Sequence, residues 1–307
     1  MEQSSSTIPF YLQMIVLLRK AVNILDEQGR AEVLQFTLSQ QNPDGGFRDR
    51  GGRSDLYYSL FGLLILKGAR GGEKGAGSRK QRSNFTLESN PELIDESILK
   101  LKQFADHQAT TEITGFIERC CLVLIQKELK ARRFLRIQSL WSLGKSFLKE
   151  RHSINLSYRS FVLFLTLDAV FPFPLIFKEM AKRMLAHTTV DQHSPCSEIA
   201  AKVFIHKMLN QYGPHEQKLL ASFAFASGGF KAFAHLNNAD MLSTAVALFA
   251  LTYSGHDIRL LMPSCLDFIE QNYSEGAFLS GDGDLTADVE YTFYGLLALG
   301  VLANLST

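Results

Sequence analysis

Apolar residues recur along this chain at the three- and four-residue spacing of helices that bury one face. In residues 91–106, Leu93, Ile94, Ile98, Leu101 and Phe104 fall on or near one side, and Pro91 stands where a first helical turn accepts proline. Windows 112–129, 132–149, 156–170, 175–187 and 196–210 read the same way. Three further segments, 56–66, 241–251 and 292–303, are apolar nearly all round. Such helices have no solvent face, so they are expected inside a shell of other helices. Alternating β-branched runs are absent, which predicts an all-α protein of roughly a dozen helices of ordinary length with almost no strand.

The three apolar segments belong to a repeat. Residues 39–66, 221–251 and 269–299 each run from a helix through Gly-Gly-Phe or Gly-Ala-Phe, a polar loop and an Asp, into an apolar helix. Phe230 and Phe278 are 48 residues apart, and Phe47 and Phe230 are 183 apart, close to four units of about 46. About three worn copies are therefore expected between them, each one helical hairpin. The glycines would end the outer helix with positive φ, and the Phe would plug the gap between units. Asp55, Asp240 and Asp288 would cap the helices they precede. A repeat of this kind builds either an open solenoid or a closed ring.

Residues 68–84 break the pattern. They are glycine-rich and basic, and predict a flexible surface loop within an otherwise single domain spanning 1–307. Docking of an acidic partner is the sharper alternative there.

The net charge of +1 removes any global electrostatic case for nucleic acid. Phenylalanine is over-used, with 23 copies against one Trp, which suits a Phe-rich core or an aromatic-lined cavity. Cys120, Cys121, Cys196 and Cys265 lack metal-site spacing and read as thiols in a reducing compartment. The N-terminal run lacks the features of a signal peptide, and no transmembrane segment is expected. A cytoplasmic location follows from these expectations.

The run Gln41–Phe47, matched by Gln271–Phe278, with its following Asp and apolar helix, resembles the repeat of protein prenyltransferase β subunits and the related repeat of squalene and hopene cyclases. That resemblance implies an α/α toroid, a barrel of helical hairpins. It also implies site residues. Arg50 and Arg53 fall where the prenyltransferases hold the isoprenoid diphosphate, and Tyr58 falls on their diphosphate-contacting Tyr. Asp55 matches a zinc-binding Asp, but Tyr57 stands at the zinc-binding Cys, and Ser243 and Tyr291 stand where a zinc His is needed. Zinc is therefore not expected, and no metal site is assigned. Magnesium would enter only with a diphosphate substrate. Asp288-Val289-Glu290-Tyr291-Thr292 is similar in outline to the acid motif of terpenoid cyclases, which makes Glu290, with Asp288, the candidate catalytic pair. Helix-start acidity that complements the dipole is the plainer reading of both.

Arg48, Arg50 and Arg53, three arginines in six residues, form either a solvated charged loop or an anion site at the mouth of an apolar ring. With Tyr57 and Tyr58 they are the candidate ligand-binding residues. The function these residues imply is isoprenoid handling: prenyl diphosphate binding with zinc-independent transfer, or terpenoid cyclisation. The alternative is a binding or scaffold protein that keeps the toroid without its chemistry. Prenyl transfer to a protein, which needs zinc and a partner subunit, ranks last.

Overall fold

The computed structural model describes residues 10–70, 91–111, 113, 115–130, 137–149, 156–170, 179, 181–183, 186, 188–211 and 213–305. They are mostly helical. The helices are α1 (Phe10–Ile24), α2 (Glu27–Ser39), α3 (Leu56–Arg70), α4 (Pro91–Gln108), α5 (Phe116–Glu128), α6 (Ile137–Lys149), α7 (Leu156–Val170), α8 (Cys196–Met208), α9 (Pro214–Ala221), α10 (Met241–Ser254), α11 (Met262–Gln271) and α12 (Val289–Leu305). No described helix is long and apolar enough to cross a membrane.

The helices sort into two kinds. Helices α3, α10 and α12, apolar all round in sequence, are buried along most of their length. Helix α3 packs on α5, α5 on α7, α7 on α8, α8 on α10, α10 on α12, and α12 on α3. The others flank this set: α2 lies on α3, α4 on α3 and α5, α6 on α5, α9 on α8 and α10, and α11 on α12. Helices α5, α7 and α8 follow α3 in the places where repeats without the Gly-Phe signature were expected.

The repeat has a steric logic. Its Phe is fully buried in each copy, as Phe47, Phe230 and Phe278. Each Phe amide donates to a hydroxyl on the following helix: Phe47 to Ser59 (2.9 Å), Phe230 to Thr244 (2.8 Å) and Phe278 to Thr292 (3.3 Å). Each of those hydroxyls lies one helical turn after the capping Asp. Asp55 accepts from the Tyr57 amide (2.7 Å), Asp240 from the Ser243 amide (2.8 Å) and Asp288 from the Tyr291 amide (2.8 Å), so all three cap as expected. Gly62 and Gly295 leave room for the Phe rings, since a Cβ there would lie 2.5 and 2.2 Å from Phe47 and Phe278.

The first glycine of each motif does something the sequence did not disclose. A Cβ on Gly45 would lie 2.2 Å from the Lys100 carbonyl oxygen of α4, and one on Gly228 2.0 Å from that of Ser264 in α11. A Cβ on Gly276 would lie 2.2 Å from the Glu32 carbonyl oxygen of α2. The loop of the last repeat thus seats on the outer helix of the first, as the loops of the other copies seat on α4 and α11. The Tyr273 hydroxyl adds a 2.7 Å bond to Glu32 at the same junction.

Helix α1 is built into neither layer. It packs on α12, α3 and α7. Gly68 and Gly300, near the C-terminal ends of α3 and α12, face Leu18 and Leu17. The Tyr11 amide at its start donates to Asp168, near the end of α7 (3.3 Å). Helix α1 therefore lies across the C-terminal ends of the inner helices, opposite the Asp caps.

The expectation of almost no strand holds: the described residues form only four two-residue strands, as hairpins β1 (Phe47–Arg48) with β2 (Ser54–Asp55) and β3 (Tyr273–Ser274) with β4 (Ala277–Phe278), because a loop returning past the buried Phe pairs its backbone. Other expectations need correction. Leu93 is 41% exposed, while Ile94, Leu101 and Phe104 carry the buried face of α4. Residues 68–70 belong to α3; the rest of the 68–84 loop, and most of the 175–187 window, lie outside the described residues.

The junction between first and last repeats can be tested with a matched pair of substitutions. Gly276 (φ +86) and Gly52 (φ +83) share a left-handed backbone, but nothing lies within 4 Å of a Cβ at Gly52. Gly52→Ala should cost about 1–2 kcal/mol of backbone strain. Gly276→Ala should cost clearly more, read as a larger loss of Tm in thermal unfolding. Equal losses would mean that the seat on α2 contributes nothing.

Candidate functional site

The inner helices and α1 surround a cavity of about 220 Å³. Each contributes a single stripe at helical spacing, such as Tyr57, Leu60, Phe61 and Leu64 from α3, or Tyr158, Phe161 and Leu165 from α7. The walls are mostly aliphatic and aromatic, with Cys120, Cys121 and Ser197 among them. At the α1 end, Phe10 stacks on Phe249 (4.9 Å between ring centroids) and meets Phe204 edge-on (4.6 Å), and Phe161 stacks on Phe204 (5.1 Å). Between α3 and α12, Phe61 contacts Phe293 (4.6 Å) and Tyr57 (4.6 Å).

The polar groups gather at the opposite end, where the Asp caps start α3, α10 and α12. The Tyr57 hydroxyl donates to Glu290 Oε1 (2.8 Å), and the Tyr58 hydroxyl interacts with the same carboxyl. Tyr57 itself lines the cavity, and so do Tyr158 and Tyr294, whose hydroxyls interact with that of Tyr57. Glu290 thus stands behind Tyr57. Burial is the main cause that pushes the Glu290 pKa above the ordinary carboxylate range, reinforced by the Asp288 charge and opposed by the two tyrosine hydroxyls and Arg50. Burial likewise raises Tyr57 and Tyr294, and pushes Tyr158 up to about 12. The three phenols are therefore neutral at physiological pH and keep their protons to donate.

Arg50 joins this cluster, but as a partner of carboxylates. Its Nη1 lies 2.7 Å from Asp284 and its Nε 2.8 Å from the buried Asp288, with the guanidinium over the Tyr291 ring at 5.2 Å. Burial works against its charge, yet the bonds and charges of Asp288 and Asp284 outweigh that and raise its pKa. Asp288 divides its two oxygens between the α12 cap and Arg50. Nearby, burial raises the pKa of Asp240, which accepts from Ser243 Oγ (2.6 Å) and lies 3.5 Å from the Tyr291 hydroxyl. Asp282 and Asp284 hold their own loop, accepting from the amides of Asp284 (3.1 Å) and Thr286 (2.9 Å).

The structure therefore brings Arg50, Tyr57, Tyr58, Asp288 and Glu290 together. It does not bring Arg48 or Arg53 to them. Arg48 Nε donates to Gln40 Oε1 (2.9 Å), and the Arg53 side chain is 87% exposed with Asp49 at 3.9 Å. The three arginines do not converge on one anion site. Sequence reading missed Tyr158 and Tyr294. A signal existed for Tyr294, which sits one turn after Glu290 on an otherwise apolar helix. Tyr158 had no such neighbour, since α7 meets α3 and α12 at the cavity through folding alone. Among the described residues, no group of three or more His, Cys, Asp or Glu is placed to hold a metal ion.

The raised pKa of Glu290 makes a prediction about stability. Between its unfolded and folded pKa values the native state keeps a proton that the unfolded chain has released. The stability from this group is thus complete below the unfolded value and is lost as pH rises through that window. Glu290→Gln keeps an acceptor for Tyr57 and removes the titration. The Tm of the variant relative to wild type should climb as pH rises above the ordinary carboxylate range and level off once it passes the raised folded-state value. A difference independent of pH would show that Glu290 titrates as it does in water.

Comparison with protein-family models, with curated proteins and with solved structures finds no match, so what this site can do rests on its own residues.

Proposed function

We propose that the chain is an α/α toroid that holds an isoprenoid or a similar apolar chain in its central cavity. The observation that carries this reading is the cavity itself, walled by stripes from α1 and all six inner helices and lined with stacked aromatic rings. The cyclic order of helix contacts from α3 round to α12, and the seat of Gly276 on α2, support the toroid. Aromatic walls suit unsaturated hydrocarbon, and their ring faces stabilise cationic carbon by about 0.5–2 kcal/mol each.

Among the reactions open to such a site, the geometry favours acid-assisted cyclisation over transfer from a diphosphate. Glu290, whose pKa burial raises, would in its protonated form donate to the Tyr57 oxygen while the Tyr57 hydroxyl turns its own proton to the ligand. The resulting carbocation would lie among the aromatic rings, and loss of a proton from a neighbouring carbon back to the carboxylate would close the cycle. Asp288 would serve as the positioning group that keeps Arg50 beside Glu290. Zinc-independent transfer would instead require Arg50 to leave Asp284 and Asp288 for phosphate oxygens, with Arg53 and Tyr58 beside it and magnesium as counterion.

A second reading is favoured by one specific observation. The arginine at the centre of the cluster is already matched by two carboxylates, as it would be in a scaffold whose polar groups serve to join its repeats.

Ala201 lines the cavity and is buried. Ala201→Phe should fill part of it while leaving the helical circular dichroism unchanged. Titration calorimetry with geraniol, farnesol and geranylgeraniol should give micromolar binding to wild type for at least one of them, weakened at least tenfold in the variant, or about 1.4 kcal/mol. Absence of binding to wild type across the panel would leave the scaffold reading in front.

A further inference from the structure

The polar groups that meet the cavity differ from those that surround it, and the difference selects a ligand. Carboxylates crowd that end of the protein, among them Asp55, Asp240, Asp282, Asp284, Asp288 and Glu290, and Arg50 is bonded to two of them. Among the described residues, no lysine, arginine or histidine lines the cavity. The lining instead includes Tyr57, Tyr158 and Tyr294, whose hydroxyls interact with one another, beside Ser197, Cys120 and Cys121. An anionic head group placed there would lose its hydration, face carboxylates and meet no matching cation, a cost of several kcal/mol. A neutral oxygen would lose little, because each phenol both donates and accepts and a ligand oxygen among them restores the bonds it had in water.

Size narrows the choice. A dry apolar cavity of about 150 Å³ accommodates benzene. Scaled to 220 Å³, the present one holds on the order of ten carbon atoms, the size of a geranyl chain.

We infer that the site takes a neutral, oxygen-bearing isoprenoid of roughly ten carbons, an alcohol or carbonyl compound, with its oxygen held by Tyr57, Tyr158 and Tyr294 and its chain directed toward Phe10, Phe204 and Phe249. This rests on the reading of the cavity as an isoprenoid site. It adds the head group and the length, and it assigns Tyr158 and Tyr294 to ligand binding. With Glu290 behind Tyr57, the ligand oxygen also lies where a proton would arrive: on an alcohol, protonation of that oxygen would break the C–O bond, water leaving with the bonding pair and an allylic cation remaining among the rings, whereas on a carbonyl compound it would only polarise the C=O bond.

Three probes of one chain length separate the possibilities: geraniol, geranyl diphosphate, and myrcene, which has the same number of carbons and no oxygen. Calorimetry on wild type should show geraniol binding at least tenfold more tightly than either of the others. In the double variant Tyr158→Phe/Tyr294→Phe, which keeps both rings, affinity for geraniol should fall to that for myrcene while myrcene itself is unaffected. Should the double variant fail to fold, the order of the three ligands on wild type, together with the weaker binding expected of farnesol, decides the matter alone. Tighter binding of the diphosphate, or a preference for geraniol that survives loss of both hydroxyls, would overturn the assignment of the head group. Tighter binding of farnesol would overturn the length. Binding by none of these ligands would instead remove the isoprenoid reading on which the inference stands.

Discussion

The fold depends on one close approach made repeatedly: a glycine at positive φ laid against the backbone of the neighbouring outer helix. At Gly45, Gly228 and Gly276 a single added carbon would lie 2.0–2.2 Å from a carbonyl oxygen. Backbone contact at that distance fixes the offset between successive helical pairs more tightly than side-chain packing does, because no rotamer can absorb an error. Gly276 makes this contact with α2, so the register that runs along the chain also governs how its last repeat meets its first.

That junction holds most of the polar chemistry. Arg50 and Asp288 are 238 residues apart, and Tyr57 and Glu290 are 233 apart, yet both pairs bond across it. Each carboxylate there carries more than one duty. Asp288 caps α12 with one oxygen and binds Arg50 with the other. Asp240 caps α10 and meets Tyr291. Buried carboxylates are tolerable under such conditions, since amide donors at a helix start and a shared guanidinium replace the lost water. Glu290 has weaker replacements, two tyrosine hydroxyls and a more distant Arg50, and its pKa is raised accordingly.

The opposite end is lined by different groups. Helix α1 lies across the C-terminal ends of the inner helices, and its first residue, Phe10, enters the aromatic cluster with Phe161, Phe204 and Phe249. An acidic cluster at one end and aromatic rings at the other make the cavity asymmetric. A bound molecule with one polar end would therefore have one favoured orientation.

What the sequence by itself determined is local. Helical periodicity, the buried Phe and the three capping aspartates follow from interactions between residues close in sequence, where spacing along the chain dictates spacing in space, and the repeat near 46 residues is that local layout recurring. The roles of individual site residues were decided by tertiary structure. Arg50 and Arg53 look equivalent in sequence, but the hairpin turn directs one to Asp284 and Asp288 and leaves the other in solvent. Tyr57 looks equivalent to its neighbour Tyr58 in sequence, yet its hydroxyl reaches a carboxyl from the far end of the chain. Tyr158 and Tyr294 join it from two further helices. Such meetings depend on how every intervening helical pair is offset from the next, a sum of small rotations that no local pattern of residues encodes.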